Sequence, residues 1–345
     1  MKKVIKQIVG IDVAQKELVV SLGRMYDDWT PELYARKRFQ NTQKGFIVLV
    51  SWVKKLTDED AALHYVMEAT GVYHEALAYF VEEKGYQLTI VLPNKIHNYF
   101  RTLSVRTITD KTSADTIAMF GLEKKLESWR RPKKVFRDLR QLTRERDQIV
   151  GERTMVKNQL HSEKAQAYPN PSSLERIKKR IQLLNKQEKE IQKEIASLVK
   201  TDEDVQKSVK LTSSVTGIGV LTAATVLAET NGFELIRSKR QLTSYAGFDV
   251  IDKQSGTSIK GKPRISKRGN KYLRKAMHLP ALTAIRHDER FKAIYARLIA
   301  KHGIKMKAAV AVQRKLLEMM YTIYKTKKEY DKNYLNKKHA VDESI

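Results

Sequence analysis

IVGIDVAQKELVVSL, residues Ile8 to Leu22, decides how the chain begins to fold. Two apolar runs rich in β-branched residues, Ile8 to Asp12 and Glu17 to Leu22, flank a tight polar turn and read as short strands. Leu33 to Phe39 can supply a third strand. After it the pattern alternates. Gly45 to Lys55 has helical apolar spacing, His64 to Met67 reads as a strand, His74 to Glu83 as a helix, and Gln87 to Leu92 as a strand stopped by Pro93. An α/β domain is therefore expected over residues 1–131.

Two carboxylates stand where apolar strands end. Asp12 closes IVGID and Glu68 closes HYVME. A charge there is costly unless a cation or hydrogen bonds satisfy it. Strand ends that meet in a sheet can bring two such acids together, and like charges so close favour a divalent cation between them. The plainer alternative is that both acids cap following helices, although Thr70 or Gly71 could cap the second. A third acid, Asp110, begins a helical stretch in RTITDKTSADTIAMFG. Ser113, three residues on, shares its helical face, whereas Asp115 lies about 140° around the helix.

From residue 132 to 204 the composition turns helical and charged. Leu174, Ile177, Ile181, Leu184, Ile191, Ile195 and Leu198 keep a three-four alternation, broken where Glu188 takes an apolar slot. Ser172 and Glu175 suggest a capping box at its start, with Pro169 and Pro171 separating it from an earlier helix. The two helices could pair as a hairpin within the chain or as a coiled coil between chains. Residues 205–334 are helical with one loop-rich interruption, and residues 335–345 form a polar tail.

Val215 to Gly219, VTGIG, followed by LTAATVLAE, suggests a helix-hairpin-helix turn in which Gly217 and Gly219 let backbone N–H groups hold a phosphate. A simple interhelical turn fits as well. Lys253 to Lys275 then contains nine Lys or Arg and no acid, a loop composition suited to phosphate contact through Lys253, Lys260, Lys262, Arg264, Lys267, Arg268, Lys271 and Arg274. Tyr245, Phe248 and Tyr272 beside it are core residues or stacking platforms for unpaired bases. Leu273, Met277, Leu279, Leu282 and Ile285 read as a buried helical face, with His278 a hydrogen-bonded partner within it.

The bulk numbers agree. With 66 Lys and Arg against 39 Asp and Glu, the 345 residues carry a net +27, a self-repulsion most easily relieved by a polyanion. Some proteins are basic without binding nucleic acid. Cysteine is absent, which excludes disulfides, thiolate zinc sites and a cysteine nucleophile. No apolar stretch approaches the roughly 18 residues of a membrane span, and the first residues lack a cleavable signal pattern. A cytoplasmic protein, associated with the nucleoid when active, is expected.

GIDVAQKELVV, FQNTQKGF, VMEATGVYHEALAYF, TDKTSADTIA, GIGVLTAATVLAE, LTSYAGFDV, QSGTSIKGKPRISKRGNKYLRKAM and KAAVAVQRKLLEMMY together resemble the DEDD-type insertion-sequence transposases, some of which are bridge-RNA-guided recombinases. The resemblance implies a ribonuclease H or RuvC-like N-terminal domain whose four acids bind Mg²⁺, a coiled-coil connection, and a mostly helical C-terminal transposase domain with a nucleophilic serine. By position, Asp12, Glu68 and Asp110 match the first three acids. The fourth falls on Ser113, a departure that leaves Ser113 or Asp115 for that place. The nucleophile falls on Ser255, with Ser258 and Ser266 nearby. The family further implies donor and target DNA, a guide RNA, and a dimer or tetramer. The competing expectations are a metal-dependent junction endonuclease that uses water, which needs no Ser255, and a non-catalytic nucleic-acid-binding protein, which needs neither acid.

Overall fold

The computed structural model describes residues 2–69, 71–103, 109–234, 236–252, 254, 255, 259, 260 and 264–333; the side chains of residues 110, 111, 254, 255, 259 and 260 lie outside this description. The chain divides into two units, Met1–Arg131 and Pro132–Ile345.

The first unit is built on a five-stranded sheet. β1 (Val4–Val13), β2 (Glu17–Tyr26) and β3 (Pro31–Gln40) form an antiparallel meander. The chain then adds α1 (Gln43–Leu56), β4 (Leu63–Glu68), α2 (Glu75–Glu83) and β5 (Gln87–Val91). β4 lies parallel to β1 and β5 parallel to β4, giving the order β3-β2-β1-β4-β5, the ribonuclease H-like arrangement that the resemblance implies. Pro93, which stops β5, also opens α3 (Pro93–Phe100) at its first turn, where a missing N–H costs nothing. α4 (Asp110–Glu123) completes the unit, capped by Thr109, whose hydroxyl accepts from Thr112 N.

Both faces of the sheet are covered, which is why β1 and β2 read as nearly continuous apolar runs. Val9, Ile11 and Val13 pack with Leu18, Val20, Phe46, Leu49 and Leu77 on the α1/α2 side. Ile8 and Val66 pack with Ile117, Ala118 and Leu122 on the α4 side. Gly10 makes that second layer possible. A Cβ there would sit 2.4 Å from Ala118 N and 2.7 Å from Ala114 O, so α4 rests directly on the β1 backbone.

The second unit opens with α5 (Lys134–Lys164) and α6 (Pro171–Lys200). They pair with each other as an antiparallel hairpin within the chain, one of the two arrangements the heptads allowed. Glu188, the break in the apolar seam, is buried and accepts from Arg146 Nη2 at 2.6 Å and from Arg153. The capping expectation needs correction. α6 starts at Pro171, and Asn170 caps it by accepting from Ser172 N and Ser173 N, so Ser172 lies inside the first turn.

The hairpin's lower half shares one core with α7 (Glu203–Thr212), α8 (Val220–Glu229), α9 (Lys239–Ala246), α10 (Lys271–Ala276), α11 (His278–His287), α12 (Glu289–His302) and α13 (Lys305–Thr326). Two short ribbons, β6 (Val250–Ile251) with β9 (Arg264–Ile265) and β7 (Gln254–Ser255) with β8 (Ile259–Lys260), lie between α9 and α10. The expected buried face around His278 is corrected in part. Leu273 and Met277 are buried, but a new helix starts at His278, so Pro280, Ala281 and Ala284 turn inward while Leu279 is 71% exposed and Leu282 37%. His278 Nδ1 pairs with Gln313 Nε2 at 3.1 Å, as expected of a satisfied histidine.

Candidate functional site

Side chains alternate across a strand. Ile8 and Gly10 face α4, so Asp12 belongs to the same side of β1; Val66 likewise places Glu68 on that side of β4. The register Ile11 to Met67 makes Asp12 and Glu68 the next positions along adjacent parallel strands. Both are half-buried. Burial, and then the charge of Asp12, push the Glu68 carboxyl above its ordinary pKa. Two carboxylates in mutual repulsion at one sheet end are a donor set that a hard divalent cation would relieve.

α4 brings the third position. Gly121 lies against Ile8 while Ala114 and Ala118 lie against Gly10, so the helix runs antiparallel to β1 with its first turn toward Asp12. Four helical residues advance about 6 Å and two strand residues about 6.6 Å. The α4 backbone at Asp110 therefore comes level with Asp12. The Asp110 carboxylate lies outside the described residues, among which no group of three or more His, Cys, Asp or Glu is gathered closely enough to hold a metal.

Ser113 is half-buried one turn into α4. Asp115 points elsewhere. Its Oδ1 accepts from Ser21 Oγ at 2.7 Å on β2 and from Arg36 Nε at 3.0 Å on β3, and its Oδ2 accepts from Arg36 Nη2. That carboxylate fastens α4 across the meander. Asn41 clamps the two loops that follow the acids: its Nδ2 donates to Ala14 O at 2.9 Å and Tyr73 O at 3.1 Å. A lone Asn after a strand carries no sequence signal for such a bridge.

The basic surface belongs to the second unit. Gly217 has φ +89, and a Cβ there would meet Pro280 O at 2.5 Å, so the turn before α8 requires glycine. Gly219 is the exposed N-cap of α8. The segment after the ribbons is bound backbone to backbone onto the end of α9. Asn270 N donates to Tyr245 O at 2.8 Å, Lys267 N to Gly247 O at 3.1 Å, and a Cβ on Gly269 would meet Tyr245 O at 2.5 Å. Arg264, Lys267, Arg268 and Lys271 project from it as exposed side chains. Arg274 is used differently: its Nη1 donates to Ala246 O at 2.7 Å and Gly269 O at 3.2 Å, bracing the same junction. Ser266 donates to Asp249 Oδ1 at 2.6 Å. Ser255 sits on β7 and Lys260 on β8, their side chains outside the described residues; Lys253, Ser258 and Lys262 lie outside it altogether.

Of the three aromatics, Phe248 is core and Tyr245 Oη donates to Glu229 O at 3.0 Å. Tyr272 is half-exposed with the Arg144 guanidinium 4.6 Å from its ring centroid. Arg144 is held by Glu229, a buried acid that accepts from Arg144 Nε at 2.7 Å, Arg144 Nη2 at 2.9 Å and Asn270 Nδ2 at 2.6 Å. Glu229 ends an apolar helix, and nothing in its local sequence announces these partners. No helix among the described residues is long and apolar enough to cross a membrane.

Comparison with known proteins gives these sites a context. A DEDD-type IS110 transposase model matches residues 9–169, and a model of the IS116/IS110/IS902 transposase family matches residues 209–296. A pilin gene-inverting protein of Moraxella lacunata is 26% identical over 328 residues, 95% of this chain and 98% of that protein. An insertion element IS110 protein of Streptomyces coelicolor is 30% identical over 111 residues, 32% of this chain and 27% of that one. Among solved structures, T. thermophilus RuvC in complex with a Holliday junction substrate is matched over 36% of this chain and 99% of that chain, with a TM-score of 0.28 and 8% identity. With both domain models matched in order and a relative aligned nearly end to end, the chain belongs to the IS116/IS110/IS902 family of transposases, enzymes of DNA recombination.

Proposed function

We propose that this enzyme cleaves and rejoins DNA strands with Mg²⁺ held by Asp12, Glu68 and Asp110 and with Ser255 as the nucleophile. The observation that carries the proposal is the pairing of Asp12 with Glu68 at one sheet end, level with the start of α4. When bound, the cation supplies charge stabilisation for phosphoryl transfer. Asp12 and Glu68 supply its oxygen ligands from rigid strands, Asp110 a third from the helix, and Ser113, sharing the Asp110 face, stands at the edge. Asp115 is engaged with Arg36 and Ser21 and serves as a brace.

The Ser255 hydroxyl oxygen attacks a DNA phosphorus, the bond from phosphorus to one sugar oxygen breaks, and the proton lost by the hydroxyl ends on that oxygen, leaving a free sugar hydroxyl and a phosphodiester between Ser255 and the other strand end. Arg264, Lys267, Arg268 and Lys271, with Lys253, Lys260 and Lys262, bind phosphates, and the N–H groups around Gly217 and Gly219 add to them. The resemblance of the chain to bridge-RNA-guided members extends the proposal to a guide RNA and to a dimer or tetramer, acting in the cytoplasm on nucleoid DNA. Transposition and the gene inversion named for the Moraxella relative both need breakage and rejoining, so one site serves either outcome.

A covalent-trapping assay on radiolabelled donor DNA tests the chemistry. The wild-type chain with Mg²⁺ should yield a denaturation-resistant protein–DNA adduct, which Ser255→Ala abolishes while DNA binding persists. Cleavage without an adduct would make water the nucleophile and the enzyme a junction endonuclease. Full activity in Asp12→Ala would remove the metal mechanism.

A further inference from the structure

We propose that a cleft between α5, the start of α8 and the α10–α11 segment holds one unpaired nucleobase of a bound strand against Tyr272. This rests on the nucleic-acid role of the basic run given above. The cavity is about 260 Å³; an apolar cavity of about 150 Å³ already takes a benzene ring, so a purine or pyrimidine fits in size. Leu221, Leu279 and Tyr272 give it largely apolar walls, while Arg146, Lys275 and Thr222 offer polar atoms at its edge. Lys275 is already paired there with Asp147, and Arg146 with Glu188, so the border is polar and hydrogen-bonding. Flat apolar walls with such an edge match a base, which has a π-face and a hydrogen-bonding edge.

Four independent features point the same way. Tyr272 is fixed before any ligand arrives, because the Arg144 over its ring is itself gripped by buried Glu229, and a fixed aromatic loses little entropy on stacking. Leu279 stands 71% exposed at the cavity, on a strongly basic protein where bare apolar surface gains nothing in water. Arg146 Nε is buried without a hydrogen-bond partner, although the same guanidinium donates to Glu188. Leu221 and Thr222 belong to the first turn of α8, whose leading N–H groups have no intrahelical acceptor, so a phosphate seated there lies beside the base. Lys271, whose Nζ is 5.1 Å from the Tyr272 ring centroid, can meet the next phosphate along the strand.

Fluorescence anisotropy of the full chain on three labelled duplexes tests this: fully paired, with a single bulged adenine, and with an abasic bulge, each made in DNA and in RNA. The bulged adenine should bind about tenfold tighter than the abasic bulge, the scale of one base stacked on an aromatic ring. Tyr272→Ala and the uncharged Leu279→Ser should erase that difference and leave paired-duplex affinity unchanged, while Tyr272→Phe should keep it. Leu279→Ser alters an exposed position without adding charge and carries the test if Tyr272→Ala fails to fold. The strand type showing the preference identifies the source of the base. Equal binding of adenine and abasic bulges, with the paired duplex still bound, overturns the cleft and leaves the proposed function standing; no binding to any duplex overturns both.

Discussion

Gly10→Ala should damage the enzyme far beyond the size of one methyl group. The new Cβ would meet Ala118 N at 2.4 Å and both Ala114 O and Ala118 Cα at 2.7 Å, where carbon contacts settle at about 3.5–4.0 Å. These are backbone atoms, so α4 must retreat by about 1 Å and loosen the layer formed by Ile8, Val66, Ile117 and Leu122. Overpacking costs about 1–3 kcal/mol when side chains can adjust, and here the cost should reach about 3 kcal/mol. With an unfolding entropy of about 2.1 cal/mol/K per residue over a unit of 131 residues, the melting midpoint of that unit should fall by about 10 °C in calorimetry. Displacing the α4 start by about 1 Å from Asp12 should also slow Mg²⁺-dependent cleavage by about 100-fold. Two controls set the scale. Gly121→Ala meets only Ile8 and Val66 methyl groups and gains helix propensity, for a net cost of about 1 kcal/mol. Gly151→Ala enters open space within α5 and should stabilise by about 1 kcal/mol. An unchanged midpoint and cleavage rate in Gly10→Ala would refute the seating of α4 and, with it, the position of Asp110.

Glu188→Ala should destabilise the second unit by about 3 kcal/mol in urea unfolding, since it strands Arg146 and Arg153 in the hairpin, whereas a triple change to apolar residues should recover that loss. His64 is held below its ordinary pKa of 6.5, first by burial. Its neutral form is therefore favoured by folding, so the stability it contributes is complete above pH 6.5 and is lost as the pH falls through the folded value. His64→Asn should flatten the urea midpoint between pH 7.5 and 5.5 relative to wild type. Lys271→Ala should reduce the slope of log affinity against log salt by about 0.9, as expected for one phosphate contact. Arg274→Ala should instead lower the melting midpoint, because its guanidinium holds the Ala246 and Gly269 carbonyls.

What the sequence exposed and what it hid follow from how far each signal reaches. Asp12 and Glu68 were visible because a carboxylate ending an apolar strand is locally anomalous, and strand alternation then forces both to one face. Glu188 was visible as a defect in a heptad, but its arginines lie 42 and 35 positions away. Asp115 looked like an alternative to Ser113 because helical angle alone cannot show that Arg36 and Ser21 await it across the meander. Pro171 reads as a separator but is also favoured at a first helical position, so the α6 cap falls on Asn170. Continuing one helix through Met277 turns Leu279 and Leu282 inward, whereas the chain starts another helix at His278. The Glu229 network joins three segments and leaves no local trace.

Anomalous diffraction from crystals soaked in Mn²⁺ is the most direct test of the shared cation. One peak is predicted within about 2.2 Å of carboxylate oxygens of both Asp12 and Glu68, with Asp110 completing the contact, and its loss in an Asp12→Asn crystal. A peak bound to neither acid, or none at saturating Mn²⁺ with the two carboxylates turned apart, would contradict it.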